Sequence, residues 1–540
     1  MKKTICYLIL CAMLCAATGC ASSHGNDTPD TTGNTDGAAG DTTPVETETE
    51  KILPDLPERD FNGYTFRGMT KGTASSHWCS RDFYAAEITG EAINDAVYNR
   101  NATVGEKYNF KMEEIGAESG DPVADARKAV QAGENSFDVI LAGNSINPMI
   151  TDGMLLDLNA MPYMDMTRPW YDQNANESLS ISHKLFVSCG ELNIMDNDAT
   201  WSVLFNKALA EDLGLGDFYA MVRDGTWTQD VLLSAMEAAS IDINGDGKRD
   251  ASDQWGNFGE GFDVMGYMIG AGARCFAKDE NDMPVLDALS ERYVDAYAKA
   301  HAINDNPEIC FAVSKAGGWD VLDAVFTEGR CLFSYVGLNR VTLFREMEAD
   351  FGILPTPKFE EAQEEYYNVV STWGANFFAV PKTADDTERT GIILEALSAE
   401  SMYTLTPAYY DVTLKTKAAR DEESAAMLDI IFSSRVFELG NFYGWGGMFD
   451  LPGTQSAAGK TDIVSAVEGK MKATNAAMEK TIKAVLDKAK APRRTPIRYS
   501  PGCFYGVVRR FAARKASAGL LLGKRPYLPP GHHSHSRVVA

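Results

Sequence analysis

The chain has 540 residues, of which 50 are Lys or Arg and 76 are Asp or Glu, and its formal net charge is −26 at pH 7. A surface this acidic repels nucleic acid and anionic lipid, which argues against a protein that binds either of them. The length is sufficient for two or more domains.

The N-terminus has the pattern of an export signal. Lys2 and Lys3 precede an apolar run at 5–17, which is shorter than the about 20 residues that a permanent transmembrane helix needs. Small residues then precede Cys20 in an arrangement that resembles the bacterial lipoprotein box, although Ala17 stands where that box usually has Leu. We predict a lipoprotein signal peptide over 1–19, lipidation of Cys20, and a lipid-anchored protein facing outside the cytoplasm. The alternative is an ordinary secreted protein that is cut nearby.

The next segment, 20–57, consists mainly of Thr, Asp, Gly, Glu and Pro with few large apolar side chains. Such a segment buries too little surface to offset the entropy lost on ordering. We predict a disordered acidic tether between the membrane and a folded body. No later segment is apolar enough to cross a membrane.

The first part of the body has the pattern of an α/β fold. Asp121-Pro122 has the form of a helix start, and Gly133 suits the end of that helix. The apolar run at 137–141, bounded by Gly143 and Asn144, predicts a buried strand. One helical face is predicted for each helix, made of Ile93, Val97, Val104 and Tyr108 in the first and of Ala126 and Val130 in the second. Strands that alternate with helices imply a parallel sheet.

Several segments, taken in their order along the chain, resemble family 1 extracellular solute-binding proteins, which include the maltose-binding type. The segments are FDVILAGNS, GMLLDLN, RPWYDQNANESLSISHKLF, ATWSVLFNK, DGTWTQDVLLSAMEAA, FGILPTPK, WGANFFAVPK and KTKAARDEESAAMLDIIFSSRVFELG. The resemblance covers about residues 58–488. It implies an α/β, two-lobed periplasmic-binding-protein-like fold with a ligand cleft between the lobes, and a function in capturing a small solute for an ABC permease.

The resemblance also implies where the lobes divide. Lobe one is expected to comprise 58–179 and 358–401, and lobe two 180–357 and 402–490. The crossings are expected near 180–184 and 353–357. Ligands bind preferentially in clefts between domains, and hinge closure is the usual motion of such proteins.

A twelve-residue acidic loop at 242–253 matches the D-x-N-x-D-G pattern of calcium-binding loops. Alternate oxygen-bearing residues point toward one centre, and Gly247 allows the sharp turn. The predicted ligands are Asp242, Asn244, Asp246, the Lys248 carbonyl, Asp250 and Asp253. The predicted cofactor is a structural Ca²⁺, and the alternative is a surface turn without a metal.

Several segments combine tryptophan with short polar residues, which is the mixture that a carbohydrate requires. Aromatic faces pack on the C–H groups of sugars, and Asp or Asn side chains bind the hydroxyls. By the family resemblance these segments lie near the hinge or the edge of the cleft. The predicted ligand-binding residues are Trp170, Asp172, Asp196, Asp198, Trp201, Trp373, Asn376 and Trp445. A core role is the alternative for each tryptophan, and Trp227, at a helix start, is expected to be structural.

The sequence contains no HExxH and no GxSxG motif, and its few histidines in the body are scattered. Asp196 and Asp198 could form an acid–base pair, but hydrogen bonding to a sugar is the simpler use of them. We therefore predict a monomeric binding protein that is not an enzyme. The alternatives are a surface carbohydrate-active enzyme and a ligand-binding lipoprotein that serves a sensor.

The segment 491–540 differs from the body in charge. The last fifty residues carry ten Lys or Arg and no Asp or Glu. The family resemblance ends before it, so we predict a basic tail outside the fold. A basic arm that touches the membrane or wall is the alternative.

The five cysteines of the body, Cys79, Cys189, Cys275, Cys310 and Cys331, have no CxxC spacing. We predict buried free thiols and neither a disulfide framework nor a zinc site.

Overall fold

The computed structural model describes residues 51–72, 78–344, 347–414 and 422–487. The predicted signal peptide, Cys20, most of the predicted tether and the basic tail lie outside these residues. The fold below belongs to the compact unit that begins at Ile52. Ile52 and Leu56 pack partly buried against the main core, so the folded body begins before the predicted boundary at 58.

Strands and helices alternate along much of the described chain. The strands are β1 (Tyr64–Thr70), β2 (Phe110–Gly116), β3 (Val139–Ala142), β4 (Trp201–Asn206), β5 (Asn257–Gly259), β6 (Phe276–Lys278), β7 (Pro284–Leu286), β8 (Cys310–Ala312), β9 (Phe333–Gly337), β10 (Phe351–Leu354), β11 (Asn368–Val369), β12 (Phe377–Ala379) and β13 (Arg435–Val436). The helices are α1 (Ala92–Tyr108), α2 (Val123–Ala132), α3 (Asn147–Thr151), α4 (Gln173–Leu179), α5 (Met195–Asp198), α6 (Lys207–Asp212), α7 (Phe218–Asp224), α8 (Gln229–Ala239), α9 (Gly261–Gly270), α10 (Glu291–Asn304), α11 (Val313–Ala316), α12 (Trp319–Thr327), α13 (Asn339–Leu343), α14 (Thr387–Ser401), α15 (Leu405–Leu414), α16 (Glu422–Ser433), α17 (Leu439–Tyr443), α18 (Leu451–Ala457) and α19 (Ile463–Asp487).

The first sheet has the strand order β12-β3-β1-β2. Strands β2, β1 and β3 run parallel, and β12 joins β3 in the antiparallel direction. Helices α1 and α2 provide the crossovers that parallel strands need. All four residues of β3 are buried, as expected for a strand of a parallel sheet that is covered on both faces.

The second sheet has the order β10-β4-β9 and is antiparallel. Its central strand β4 is buried along its whole length and begins at Trp201, which lies opposite Gly337 of β9. The short strands β11 and β13 form a separate parallel pair, and β11 packs against β4.

The predicted helices are confirmed with their faces. The four residues predicted to share one face of α1 are buried, and so are Ala126 and Val130 of α2. The Asp121 carboxylate accepts a hydrogen bond of 3.0 Å from the Val123 N–H, so the helix begins one residue later than the pattern predicts. Gly133 ends α2 in the left-handed region at φ 74°, which a residue with a Cβ adopts at a cost.

Two predictions about the interior are confirmed. Trp227 is fully buried, and its Nε1–H donates a hydrogen bond of 2.8 Å to the Pro355 carbonyl. Cys79 is partly buried, the other four body cysteines are buried, and all five are free thiols. Burial raises the pKa of the Cys189 thiol well above its usual range, as it does for the other buried thiols, so they are protonated and act as small apolar groups.

Ser188 exchanges hydrogen bonds with Phe378 of β12, so the chain still lies at the edge of the first sheet past the predicted crossing near 180–184. The lobe boundaries stay a prediction. None of the helices within the described residues is both long and apolar enough to cross a membrane.

Candidate ligand-binding site

A cavity of about 950 Å³ opens between elements of the two sheets. From the side of the first sheet it is lined by Asn144, which follows β3, and by Ser371 and Trp373, which precede β12. From the side of the second sheet it is lined by Trp201 and Gly337, which lie at the facing ends of β4 and β9. The cavity is therefore lined from both sheets, as expected for a ligand cleft between two lobes. Its volume suits an oligosaccharide or another ligand of that size.

One side of the cavity is aromatic. The rings of Trp78 and Trp201 are parallel to within 2° with centroids 6.4 Å apart, and Trp78 contacts Trp373 edge to face at 5.9 Å. The series continues from Trp201 to Phe262 at 4.8 Å and from Phe262 to Phe449 at 5.7 Å. All five residues line the cavity, and we refer to them as the aromatic wall. Trp373 is 62% exposed, although a large aromatic side chain usually gains stability by burial.

A buried lysine holds the segment that carries Trp373. The Nζ atom of Lys71 donates hydrogen bonds to the carbonyls of Trp373, Gly374 and Ala375 at 3.0, 3.0 and 3.3 Å. Burial lowers the pKa of Lys71 to about 8, although the carboxylates of Asp82 and Asp121 act in the opposite direction. Its ammonium group thus orders three consecutive backbone carbonyls next to the exposed ring.

Gly374 brings Trp78 close to the same segment. A Cβ built on Gly374 would approach the Trp78 ring to 2.6 Å. The space beside Gly374 is filled by the Trp78 ring. The absence of a side chain at Gly374 therefore lets two rings of the aromatic wall pack together.

The cavity lining also carries four acids, Glu260, Asp320, Asp323 and Asp450. Arg340 forms an ion pair with Asp323, and its guanidinium lies 4.9 Å from the centre of the Trp319 ring. We refer to the four acids as the acidic wall. Among the lining residues in the described part of the chain, Arg340 is the one cation.

Of the predicted ligand-binding residues, Trp201 and Trp373 lie together on the cavity surface. The other six are not among the described residues that line it. Trp170 is fully buried beside Tyr171. Trp445 is 2% exposed, stacks on Tyr443 with centroids 4.7 Å apart, and donates a hydrogen bond of 3.0 Å from Nε1–H to Thr481. Both rings contribute to the hydrophobic core.

Asp172 and Asp196 share one buried partner. The guanidinium of Arg435, on β13, forms ion pairs with both carboxylates, at 3.0 Å to Asp196. Burial raises the pKa of Asp196 to about 7, and Arg435 opposes that rise. With Cys189 these two acids are the one three-ligand cluster found among the described residues. Arg435 already supplies the positive charge there, so the cluster has no need of a metal ion.

Asp198 and Asn376 connect the segments that carry the aromatic wall. Asp198 accepts a hydrogen bond of 2.9 Å from Arg81, and Asn376 donates one of 2.8 Å to the Ser80 hydroxyl. Both partners follow Trp78 closely in the chain. These two polar residues thus position Trp78 against β4 and β12 and are themselves buried away from the cavity.

The sequence analysis missed Trp78, Phe262, Trp319 and Phe449 of the cavity lining, together with Arg340. Phe262, Trp319 and Phe449 are each followed directly by an Asp, so the pairing of a ring with a carboxylate that guided the prediction was present for all three. Trp78 has no Asp or Asn beside it in the sequence.

The backbone of the predicted calcium loop fits a metal-binding turn. Gly247 has φ 74° and donates its N–H to Asp242 at 2.9 Å. At the twelfth position, however, Asp253 is buried, accepts N–H groups from Ile243 and Asp250, and lies 3.9 Å from Arg249. The loop acids do not converge as a three-ligand cluster within the described chain. Calcium binding stays a prediction.

No family model matches the chain, and no curated protein matches it by sequence. Among solved structures, it is similar to UspC of M. tuberculosis, with 14% identity and a TM-score of 0.51 over 76% of this chain and 100% of UspC. RafE from Streptococcus pneumoniae matches with 14% identity and a TM-score of 0.49 over 78% of this chain and 98% of RafE. The GacH receptor of Streptomyces glaucescens GLA.O matches with 14% identity and a TM-score of 0.47 over 79% of this chain and 99% of the receptor.

The match to UspC extends over the whole of that protein, so it concerns the complete fold and not a shared substructure. Together with the two sheets and the cavity between them, it confirms the predicted α/β, two-lobed periplasmic-binding-protein-like fold class. At this level of identity the likeness concerns the fold alone.

Proposed function

We propose that the protein captures a carbohydrate in the cavity between the two sheets and delivers it to an ABC permease. The observation that carries the proposal is the aromatic wall. Three tryptophans, of which Trp78 contacts the other two, and two phenylalanines line a cavity of about 950 Å³. Aromatic faces provide the apolar contact that sugar rings need, while the acidic wall and Asn441 provide hydrogen-bond partners for hydroxyls.

Binding without chemical conversion is part of the proposal. The buried acids that looked most like an acid–base pair, Asp196 and Asp198, are engaged by Arg435 and Arg81. An oligosaccharide incubated with the protein should therefore yield no new reducing ends.

Export and anchoring belong to the same proposal, because a solute-binding protein acts outside the cytoplasm. The predicted lipidation of Cys20 supports it, and several acyl chains are needed for a lasting anchor. Cys20→Ala should release the protein from the membrane fraction. Retention of the variant after a salt wash would contradict the anchor.

The proposed binding is tested by a thermal-shift screen of oligosaccharides. A ligand that binds only the folded state stabilises it by about 2.7 kcal/mol at a hundredfold excess over Kd. The matched variants are Trp373→Ala, which shortens the aromatic wall, and Tyr84→Ala, which removes a ring that is 38% exposed elsewhere. We expect the thermal shift to fall to about half or less in the first variant and to be kept in the second. If no sugar shifts the wild-type protein, the carbohydrate proposal fails.

A further inference from the structure

We propose that the ligand of this cavity is a cationic carbohydrate, an amino sugar with a protonated amine, and that sugars with carboxylate groups are excluded. The inference rests on the proposed function and specifies its substrate class. It comes from the charges around the cavity and from their position relative to the aromatic wall.

The charges that line the cavity are unequal in number. Four carboxylates, those of Glu260, Asp320, Asp323 and Asp450, face one guanidinium, that of Arg340. Arg340 is already paired with Asp323 and lies against the Trp319 ring, 4.9 Å from its centre. Arg340 also acts on the carboxylate of Glu260, so Asp320 and Asp450 are left with no cation opposite them among the described lining residues.

The arrangement differs from that of acids in the interior. Asp172 and Asp196 are neutralised by Arg435, and Asp198 is neutralised by Arg81. Asp320 and Asp450 instead are exposed toward the cavity. A cavity with walls of low dielectric and carboxylates of one sign concentrates cations and repels anions.

The aromatic wall also favours a cationic ligand. The face of a tryptophan ring carries negative charge density and attracts a cation within about 6 Å of its centre. Trp78 and Trp373 keep accessible surface at the cavity, so they can stabilise both parts of an amino sugar, the C–H face by packing and the ammonium group by cation–π attraction. Trp201 is 9% exposed, and Lys71 Nζ already lies 6.0 Å from the centre of the Trp373 ring. A uronic acid would receive the packing but would bring a carboxylate toward the acidic wall.

The test measures affinity for pairs of sugars that differ in one group. The full chain is titrated with glucose, galactose and mannose oligomers and with their 2-amino-2-deoxy forms, and the response is followed by tryptophan fluorescence at low salt. N-acetylated forms serve as uncharged controls of similar size, and the corresponding uronates serve as anionic ones. We expect one amino member to bind at least about tenfold more tightly than its neutral partner, a difference of about 1.4 kcal/mol.

Two variants test whether the acidic wall causes the tighter binding of the amino sugar. Asp320→Asn and Asp450→Asn replace exposed residues by isosteric neutral ones, and Asp212→Asn removes an exposed acid outside the cavity lining as a control. The preference for the amine should fall in the first two variants and in high salt, since salt screens charges. It should be unchanged in the control.

The outcomes separate the two proposals. If neutral sugars bind and their amino forms bind no more tightly, the charge inference is wrong and carbohydrate capture stands. If a uronate binds as well as the amino sugar, the inference is also wrong. If none of the neutral or charged sugars binds, the proposed function itself fails.

Discussion

The tryptophans of this protein fall into two sets with different surroundings. Trp78, Trp201, Trp319 and Trp373 line the cavity, and their rings contact one another, Phe262 or Arg340. Trp170, Trp227, Trp255 and Trp445 are at most 2% exposed and pack within the hydrophobic cores. Trp78, Trp319 and Trp373 keep accessible surface that a ligand can cover. Trp201, which is 9% exposed and belongs to the main core, and the four tryptophans of the second set have used nearly all of their surface for folding.

The acids divide in the same way. Those inside the protein are paired with arginine or accept backbone and hydroxyl hydrogen bonds, whereas Asp320 and Asp450 of the acidic wall are exposed at the cavity. Residue type is therefore a poor guide to position in this chain, because the partners of a side chain decide whether it lies at the cavity or in the core.

Trp445→Ala should destabilise the fold by about 3–5 kcal/mol, because the substitution leaves a cavity beside Tyr443 and removes the hydrogen bond to Thr481. Denaturant unfolding measures the loss, and Trp373→Ala is the control. The folded fraction of Trp445→Ala should keep its affinity for ligand. A stable Trp445→Ala protein with lost affinity would move this ring to the binding set.

Removal of calcium should lower the melting temperature if the loop at 242–253 holds the ion. Binding to the native state alone contributes about 2.7 kcal/mol at a hundredfold excess over Kd. Melting curves with calcium and with chelator measure the effect, and Asp246→Ala should abolish it. Identical melting curves would show that the loop holds no calcium and is a turn stabilised by hydrogen bonds alone.

The pH dependence of the unfolding free energy tests one of the interior acids, Glu395. Burial raises its pKa to about 7 from an ordinary value of 4.5, although a hydrogen bond of 2.5 Å from the Tyr171 hydroxyl opposes the rise. Between those two pH values the folded state binds the proton and the unfolded state has lost it. Stability therefore rises as pH falls from about 7 toward 4.5, by up to about 1.4 kcal/mol per pH unit.

Glu395→Gln keeps an acceptor for Tyr171 and removes the titration. Unfolding free energies measured from pH 8 to pH 5 should therefore have a smaller slope in the variant. Equal slopes in the variant and the wild type would contradict the assignment to Glu395.

Trp373→Ala should reduce ligand affinity by at least about tenfold, or about 1.4 kcal/mol. The ring is 62% exposed, so the melting temperature should change little. Fluorescence titration and thermal unfolding measure the two effects separately. A large loss of stability with unchanged affinity would place Trp373 in the structural set.

Lys71→Met should reduce affinity by about threefold to tenfold, because Trp373 loses the hydrogen bonds that position its segment. Affinity of the wild type for an uncharged sugar should also fall as pH rises through about 8, where Lys71 loses its proton. The variant should lack that pH dependence. The same pH profile in both proteins would show that Lys71 has no positioning role.

Local pattern was sufficient for part of the fold. The face of α1, the start of α2, its end at Gly133, the buried strand β3 and the packing of Trp227 follow from residues near one another in the chain. Helical spacing, capping chemistry and apolar runs act over a few residues, so the sequence alone determines them. The order of the segments that resemble family 1 extracellular solute-binding proteins predicted the two-lobed fold class.

The composition of the site depended on tertiary structure. Trp78, Trp201 and Trp373 are distant in sequence. They meet because β4 and β12 both begin next to the same cavity. Asp196 contacts Arg435, which is also distant in sequence, and is buried away from the cavity. The sequence alone determined which residue types are present, but the packing of the two sheets decided which side chains kept accessible surface at the cavity, because burial depends on neighbours that local pattern does not specify.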